Sequence, residues 1–257
     1  MLLFQALGNA FSEYAANFKT ALVFVLLLVF APVAFFLGNF FIGSGTILLD
    51  YNLSLANPMQ LVLALAFSIV YVLVYSFVIS IIIFSVRKDL SQLHFQYYLT
   101  DMIRKFTFKI FWFYFIFFLA LFLIGSALFM LNAPVALITV ILLALSVGVL
   151  FVPQAIVIDE DDLLNSFYNN FEFIAKNFSS FVYVIITAIV LLAIVQLIEF
   201  LLDISLGIGS FVSIVITLVF IVPYLEILKT YLYMLKYDLI KQPDLLHRNK
   251  ARKRRVR

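Results

Sequence analysis

Glu199 and Asp203 stand four residues apart, with Gln196 three residues before Glu199. In a helix these three oxygen-bearing side chains share one face, and two carboxylates so placed could hold a cation. Glu226 is a second candidate, with Lys229 three residues on as an ion-pair partner. Gln154, in an otherwise apolar stretch, is a third. Together with Ser68, Tyr71, Tyr75, Ser146, Thr187, Ser213 and Thr217, these residues could line a route for a neutral or lipidic solute. Each also has a plainer reading as a polar residue used in helix packing. Along a helix Glu199 lies about 30 Å from Phe178, and Glu226 about 28 Å from Gly207, so both fall at an interface where a carboxylate is hydrated. No ionisable side chain is then left near a bilayer midplane, which counts against a proton-coupled pump.

Other chemistries find few residues. The chain has no Cys and two His, His94 and His247, so thiolate sites are excluded, and neither a metal nor a cofactor is expected. There is no His-Glu-x-x-His, no phosphate-binding loop and no nucleophile elbow, and Gly43-Ser44-Gly45 has no His near it. No residue is assigned as catalytic, and enzyme activity is not expected. The acidic run Asp159-Glu160-Asp161-Asp162 reads as N-capping and dipole complementation at the start of a helix. It lacks the glycine-bearing loop of an EF-hand. From His247 to Arg257 seven of eleven residues are basic: Arg248, Lys250, Arg252, Lys253, Arg254, Arg255 and Arg257. They suit anionic lipid headgroups at an inner leaflet, at about 1 kcal/mol each. Nucleic acid is not the expected partner. Asn52-Leu53-Ser54 is a glycosylation sequon of the kind that also arises by chance.

The elements that must carry these residues are transmembrane helices. Of 257 residues 65% are hydrophobic and 12% charged, against roughly 45–50% and 25% in soluble domains. Charge is absent between Lys19 and Asp50, Asp50 and Arg87, Lys109 and Asp159, Lys176 and Glu199, and Asp203 and Glu226. As one helix the run from Ile110 to Ile158 would be about 70 Å long, twice the hydrocarbon core, so it must fold back. Asn132-Ala133-Pro134 is the turn. The fold class is therefore all-α, a polytopic bundle of six spans at about 20–42, 59–86, 107–131, 134–157, 179–202 and 207–236. Nine of the thirteen residues from Phe106 to Phe118 are aromatic, which suits lipid-facing bulk and interfacial anchoring. Ala144 and Gly148 form a small-xxx-small helix contact.

If Lys19 is cytoplasmic, all 17 Lys and Arg fall on that side and the outer loops contain none. Both termini are then inside, on the cytoplasmic face of a cell membrane. No basic segment precedes the first apolar stretch, so the N-terminus does not read as a secretory signal.

An internal repeat organises the chain. Phe4, Leu7, Phe11, Tyr14 and Phe18 recur at helical spacing and predict an amphipathic helix before the first span. Shifted by 160 residues, Leu164, Phe167, Phe171, Ile174 and Phe178 repeat it, with Asn9, Phe11, Ala15, Asn17 and Phe18 matched identically by Asn169, Phe171, Ala175, Asn177 and Phe178. Phe95, Leu99, Met102 and Phe106 form a weaker third copy. The expectation is a single transmembrane domain over 1–240, in units of about 1–88, 89–158 and 159–240, each an in-plane cytoplasmic helix and a helical hairpin. A basic tail follows over 241–257. Pro153 and Pro223, near the inner ends of the fourth and sixth spans, should kink them.

The stretch Phe151 to Glu160, followed by an amphipathic helix from Leu163 to Phe178 and another span, resembles a broad group of prokaryotic six-helix membrane proteins. That group is similar to the membrane domain attached to some glycerophosphoryl diester phosphodiesterases. In its pattern a proline-bearing span ends in a short acidic or Gly turn, and the next helix carries a small residue and a small polar one before Lys-Asn. Ser166, Asn170 and Lys176-Asn177 occupy those positions here, the first two in place of the usual Ala and Ser. The resemblance implies a fold and a membrane location, and no activity. No phosphodiesterase catalytic domain is expected, because few residues follow the last span. The functional expectation is a non-catalytic membrane factor that binds lipid or supports another membrane protein, including a second copy of itself. A small permease or channel for a neutral or lipidic solute is the alternative.

Overall fold

A computed structural model of the chain describes residues 2–38, 40–43, 46–49, 58–91 and 99–235. Eight helices are found there: α1 (Leu2–Ala16), α2 (Phe18–Leu37), α3 (Pro58–Leu90), α4 (Ile103–Met130), α5 (Val135–Ile158), α6 (Leu163–Lys176), α7 (Phe178–Leu206) and α8 (Gly209–Leu235). All but α1 and α6 are long and apolar enough to cross a membrane. The chain is thus a multi-pass membrane protein by the length and composition of its helices.

Several expected boundaries move. The first span ends at Leu37, because Gly38 takes a left-handed conformation with φ 71° and closes the helix. Beyond it the bundle is not purely helical. Strands β1 (Phe40–Gly43) and β2 (Thr46–Leu49) pair antiparallel, with Phe40 opposite Leu49. Apolar β-branched and aromatic residues there run past the helix cap and take their hydrogen bonds across a hairpin. Of the third amphipathic copy, Phe95 lies outside the described residues, and Leu99–Met102 is helical and runs straight into a π-helical turn at Ile103–Thr107 that opens α4. No break separates it from the span.

The other two copies share one geometry. α1 and α2 meet at Asn17, α6 and α7 at Asn177, and neither Asn is helical. At each joint the side-chain amide donates to the carbonyl four residues back, Glu13 or Phe173, at 3.2 Å. Each Asn carbonyl then accepts the first amides of the following span, from Thr20 and Ala21 or from Ser180 and Phe181. Burial repeats as well. Ala6, Ala10 and Glu13 are buried on α1, and Ser166, Asn170 and Phe173, each 160 residues later, on α6. The apolar stripe read from the sequence is divided, with Tyr14 buried and Leu7, Phe167 and Ile174 packed against the core, but Phe11 64% and Phe171 55% exposed.

The core lies at the end of the bundle where α1 and α6 pack. It takes Ile79, Ile82, Ile83 and Val86 from the last half of α3, Phe106, Ile110 and Phe113 from the first half of α4, Phe151 to Ile158 from the end of α5, and Tyr233 from the end of α8. The first half of α5, Val135–Gly148, buries no residue at all. It packs chiefly on α4 and leaves a gap towards α7.

Both prolines deform their helices, and by more than a kink. α5 breaks into a turn at Val149–Phe151 and restarts at Val152, with Pro153 in the new first turn. There its missing N–H costs nothing. α8 widens into a π-helical turn at Thr217–Ile221 just before Pro223.

Candidate ligand cleft

The gap between α5 and α7 opens into a cleft of about 490 Å³. Its walls are apolar: Phe113 and Phe117 from α4, Leu143 and Val147 from α5, Ala188 and Ile189 from α7. Leu143 and Ile189, at its mouth, are 61% and 60% exposed on the apolar outer surface. The polar groups that line it are Tyr75, Tyr114, Ser146, Glu226 and Lys229. The Tyr75 and Tyr114 rings meet edge to face at 5.3 Å. The size is that of pockets that enclose small ligands.

Glu226 and Lys229 form the expected ion pair, at 2.6 Å, but both are buried. The interfacial hydration inferred from helix length does not apply, because Tyr75 of α3, Tyr114 of α4 and Leu150 and Gln154 of α5 surround them. Their remaining capacity is partly used within the fold. Glu226 accepts from Gln154 Nε2 at 2.9 Å. Lys229 donates to the Leu150 carbonyl at 3.3 Å, which the break in α5 leaves without a helical partner. Gln154 is fully buried, and its Oε1 has no hydrogen-bond partner.

The break itself is held by Asn170 of α6. Asn170 Oδ1 accepts the Phe151 N–H at 2.9 Å, and Nδ2 donates to the Gly148 carbonyl at 2.8 Å. One fully buried amide thus replaces two backbone partners that the broken helix lacks. At the π-helical turn in α8 the corresponding element does similar work. Pro223 has no N–H for the Val219 carbonyl, and the Tyr14 hydroxyl of α1 donates to it at 3.2 Å.

Below the cleft the acidic run ties elements together. Glu160, at a left-handed φ of 61°, pairs with Arg87 of α3 at 3.0 Å and with Lys105 of α4. Arg87 also donates to the Val157 carbonyl at 2.6 Å. Asp159 accepts from Tyr233 at 2.5 Å, and Asn169 bridges Asp159 and Asp161. Asp162 stands at the N-cap of α6, but its side chain makes no capping bond and pairs with Lys109 at 2.8 Å. The capping expectation is corrected here: the acids are drawn to side chains of neighbouring elements, to two Lys and an Arg above all, where opposite charge adds to the hydrogen bond. Desolvation pushes the Glu160 carboxyl up, yet the Lys105 hydrogen bond and the Arg87 charge together hold it below its ordinary value. The Lys109 hydrogen bond lowers Asp162 in the same way.

Glu199 and Asp203 close the turn between α7 and α8. Asp203 Oδ1 accepts the Gly209 N–H at 2.7 Å, and Glu199 Oε1 accepts the Ser210 hydroxyl at 3.1 Å. Asp203 thus caps the first amide of α8, while Glu199 holds the Ser210 side chain and its Oε2 is buried without a hydrogen-bond partner. Gln196 lies exposed beside them, far along α7 from Gln154 and Glu226. Of the polar route, Tyr75 and Ser146 reach the cleft and Tyr71 stacks on Tyr75. Ser146, Thr187 and Ser213 donate to carbonyls of their own helices, and Ser68 is buried in α3. The Thr217 hydroxyl, in the π-helical turn, has no partner. The basic residues Arg248 to Arg257, the Asn52 sequon, Ser44, His94 and His247 lie outside the described residues.

The contacts between elements made by Arg87, Glu160, Asn170 and Tyr233 escaped the sequence reading. Asn170 had a signal: it falls on the buried face that the repeat defines, where Ala10 is its counterpart. Comparison of the chain with family profiles, with curated proteins and with solved structures returns no match.

Proposed function

We propose that this is a non-catalytic membrane protein that binds an amphiphile taken from the surrounding bilayer. The chain of the amphiphile fills the cleft between α4, α5 and α7, and its polar head meets Glu226 and Lys229. The observation that carries this reading is an apolar cavity open sideways onto the lipid-facing surface, with its charged groups confined to its α8 wall. The distribution of Lys and Arg favours an orientation with the α1 and α6 end in the cytoplasm and both termini inside the cytoplasmic membrane. α1 and α6 then lie along the inner interface, with Phe11, Phe171 and Phe178 in the acyl boundary. The basic tail pins the chain to anionic headgroups. The matching joints at Asn17 and Asn177 support related first and third units.

The test is native mass spectrometry of the protein released gently from its own membranes, beside Ala188→Trp, which fills the cleft from α7. The wild type should retain lipid at a defined stoichiometry and the variant should not, with thermal unfolding unchanged. Equal retention by both overturns the reading. The broken helix beside the cleft favours a second reading, a small permease for a neutral or lipidic solute. That reading requires flux in proteoliposomes that Gln154→Ala abolishes.

A further inference from the structure

We infer that the cleft selects an amphiphile whose head is uncharged and hydroxyl-bearing, an inference that rests on the proposed binding of an amphiphile there. The argument is one of charge and hydrogen-bond count. Among the described residues that line the cleft, Glu226 and Lys229 are the charged ones, and they neutralise one another at 2.6 Å. Both are buried, so water does not screen what they meet. An anionic head that takes the remaining donor of Lys229 sets its charge, unscreened, beside the Glu226 carboxylate or draws Lys229 away from it. A cationic head meets Lys229 in the same way. Either arrangement opposes like charges in a buried site or takes apart a desolvated pair, the costly half of buried ion-pair energetics. A neutral head leaves the pair intact.

What the pair still offers decides which neutral head fits. Lys229 has three N–H donors, and two are taken, by Glu226 and the Leu150 carbonyl. The Glu226 carboxylate has about four lone-pair sites, of which Lys229 and Gln154 fill two. One donor and spare acceptor capacity are therefore left side by side. A hydroxyl, which donates once and accepts, satisfies both at a single atom. An ether or ester accepts only and leaves Glu226 unanswered. Tyr75, Tyr114 and Ser146 on the same wall carry hydroxyls of their own and add no charge.

The test holds the chain constant and varies the head. Protein in nanodiscs receives trace hexadecan-1-ol, hexadecyl sulfate, hexadecyltrimethylammonium or hexadecane, and retention is read by native mass spectrometry. Hexadecan-1-ol should be retained one to one, about tenfold or more above the two ions and above hexadecane. Glu226→Gln, which frees Lys229, should transfer the preference to hexadecyl sulfate. The double variant Glu226→Gln with Lys229→Gln, uncharged and of similar volume, keeps the test open where the single variant fails to fold. It should still prefer the alcohol to both ions. Wild-type retention of either ion at the level of the alcohol overturns the inference while leaving the cleft as a binding site, and so does equal retention of hexadecane. Retention of none of the four, or equal retention by Ala188→Trp, overturns the binding reading itself.

Discussion

Asn170→Ala is the substitution that separates the proposed architecture from an ordinary kinked helix. The fully buried amide makes two bonds to the break in α5, at 2.9 Å to the Phe151 N–H and 2.8 Å to the Gly148 carbonyl. Truncation leaves one donor and one acceptor buried without partners, at about 1–3 kcal/mol each. The loss should therefore be about 2–6 kcal/mol, a shift of about 2–4 °C in Tm for every kcal/mol in a chain of this size. Tyr14→Phe is the internal standard. It removes one hydroxyl donor at 3.2 Å from the Val219 carbonyl and keeps the ring, so about 1 kcal/mol is expected. Unfolding of both variants in mixed micelles, followed by circular dichroism, gives the ratio. A cost for Asn170→Ala no larger than that for Tyr14→Phe would mean that the break closes into continuous helix or admits water without the amide, and α6 would then be a passive anchor.

Two further outcomes follow from the charged groups. Glu226→Ala strands Lys229 in a buried site and should cost about 3–5 kcal/mol, whereas Glu226→Leu with Lys229→Met should restore most of the loss; a double variant as unstable as the single one would refute the pairing argument. The Glu160 carboxyl is held below its ordinary value of 4.5, so the stability it contributes is fully present above that value and is lost as pH falls through the lowered one. Unfolding temperature measured from pH 6 to pH 3 should therefore fall, and Glu160→Gln should flatten the slope; parallel profiles would show that the Arg87 and Lys105 contacts do not matter to stability.

How much of this was legible in the sequence depended on how local each determinant was. Spans follow from charge-free length, and six helices of that kind are present. The Glu226–Lys229 pair follows from a spacing of three residues on one helix. Glu160 with Arg87 and Asn170 with the break in α5 do not, because each joins residues from different elements and no periodicity records the partner. Charge-free length also says nothing of the burial of Glu226. Distance along a helix locates a residue relative to the bilayer, but not relative to neighbouring helices, and three of them bury it. The apolar stripes of α1 and α6 show the same limit from the other side. The sequence identifies the stripe, and only packing decides that Tyr14 turns into the protein beside Ala10 while Phe11 and Phe171 face outwards.

The two prolines and the two amphipathic helices form one device used twice. In each case a proline near the end of a span disturbs the backbone, and a side chain from an amphipathic helix bonds the affected groups: Asn170 of α6 at α5, Tyr14 of α1 at α8. α6 follows α5 directly in the chain, but α1 packs on the last span, more than two hundred residues away. Its other contact points the same way, since Asn9 donates to the Tyr231 hydroxyl at 2.9 Å and its repeat counterpart Asn169 bonds the acids that follow α5. Helix α1 therefore closes the bundle onto α8 as α6 closes onto α5, and α8, the most buried of the six spans, depends on a segment that precedes it by some two hundred residues. Removal of residues 2–16 should leave α2 to α7 folded and loosen α8 around Thr217 to Pro223, where the Val219 carbonyl loses its donor. Hydrogen exchange followed by mass spectrometry reads this directly. Faster exchange confined to the peptides over 214–226 is the expected result. Exchange that rises equally in α5 would show that the two helices do not each serve one span, and unchanged exchange in α8 would show that Tyr14 and Asn9 are decoration on a span stable without them.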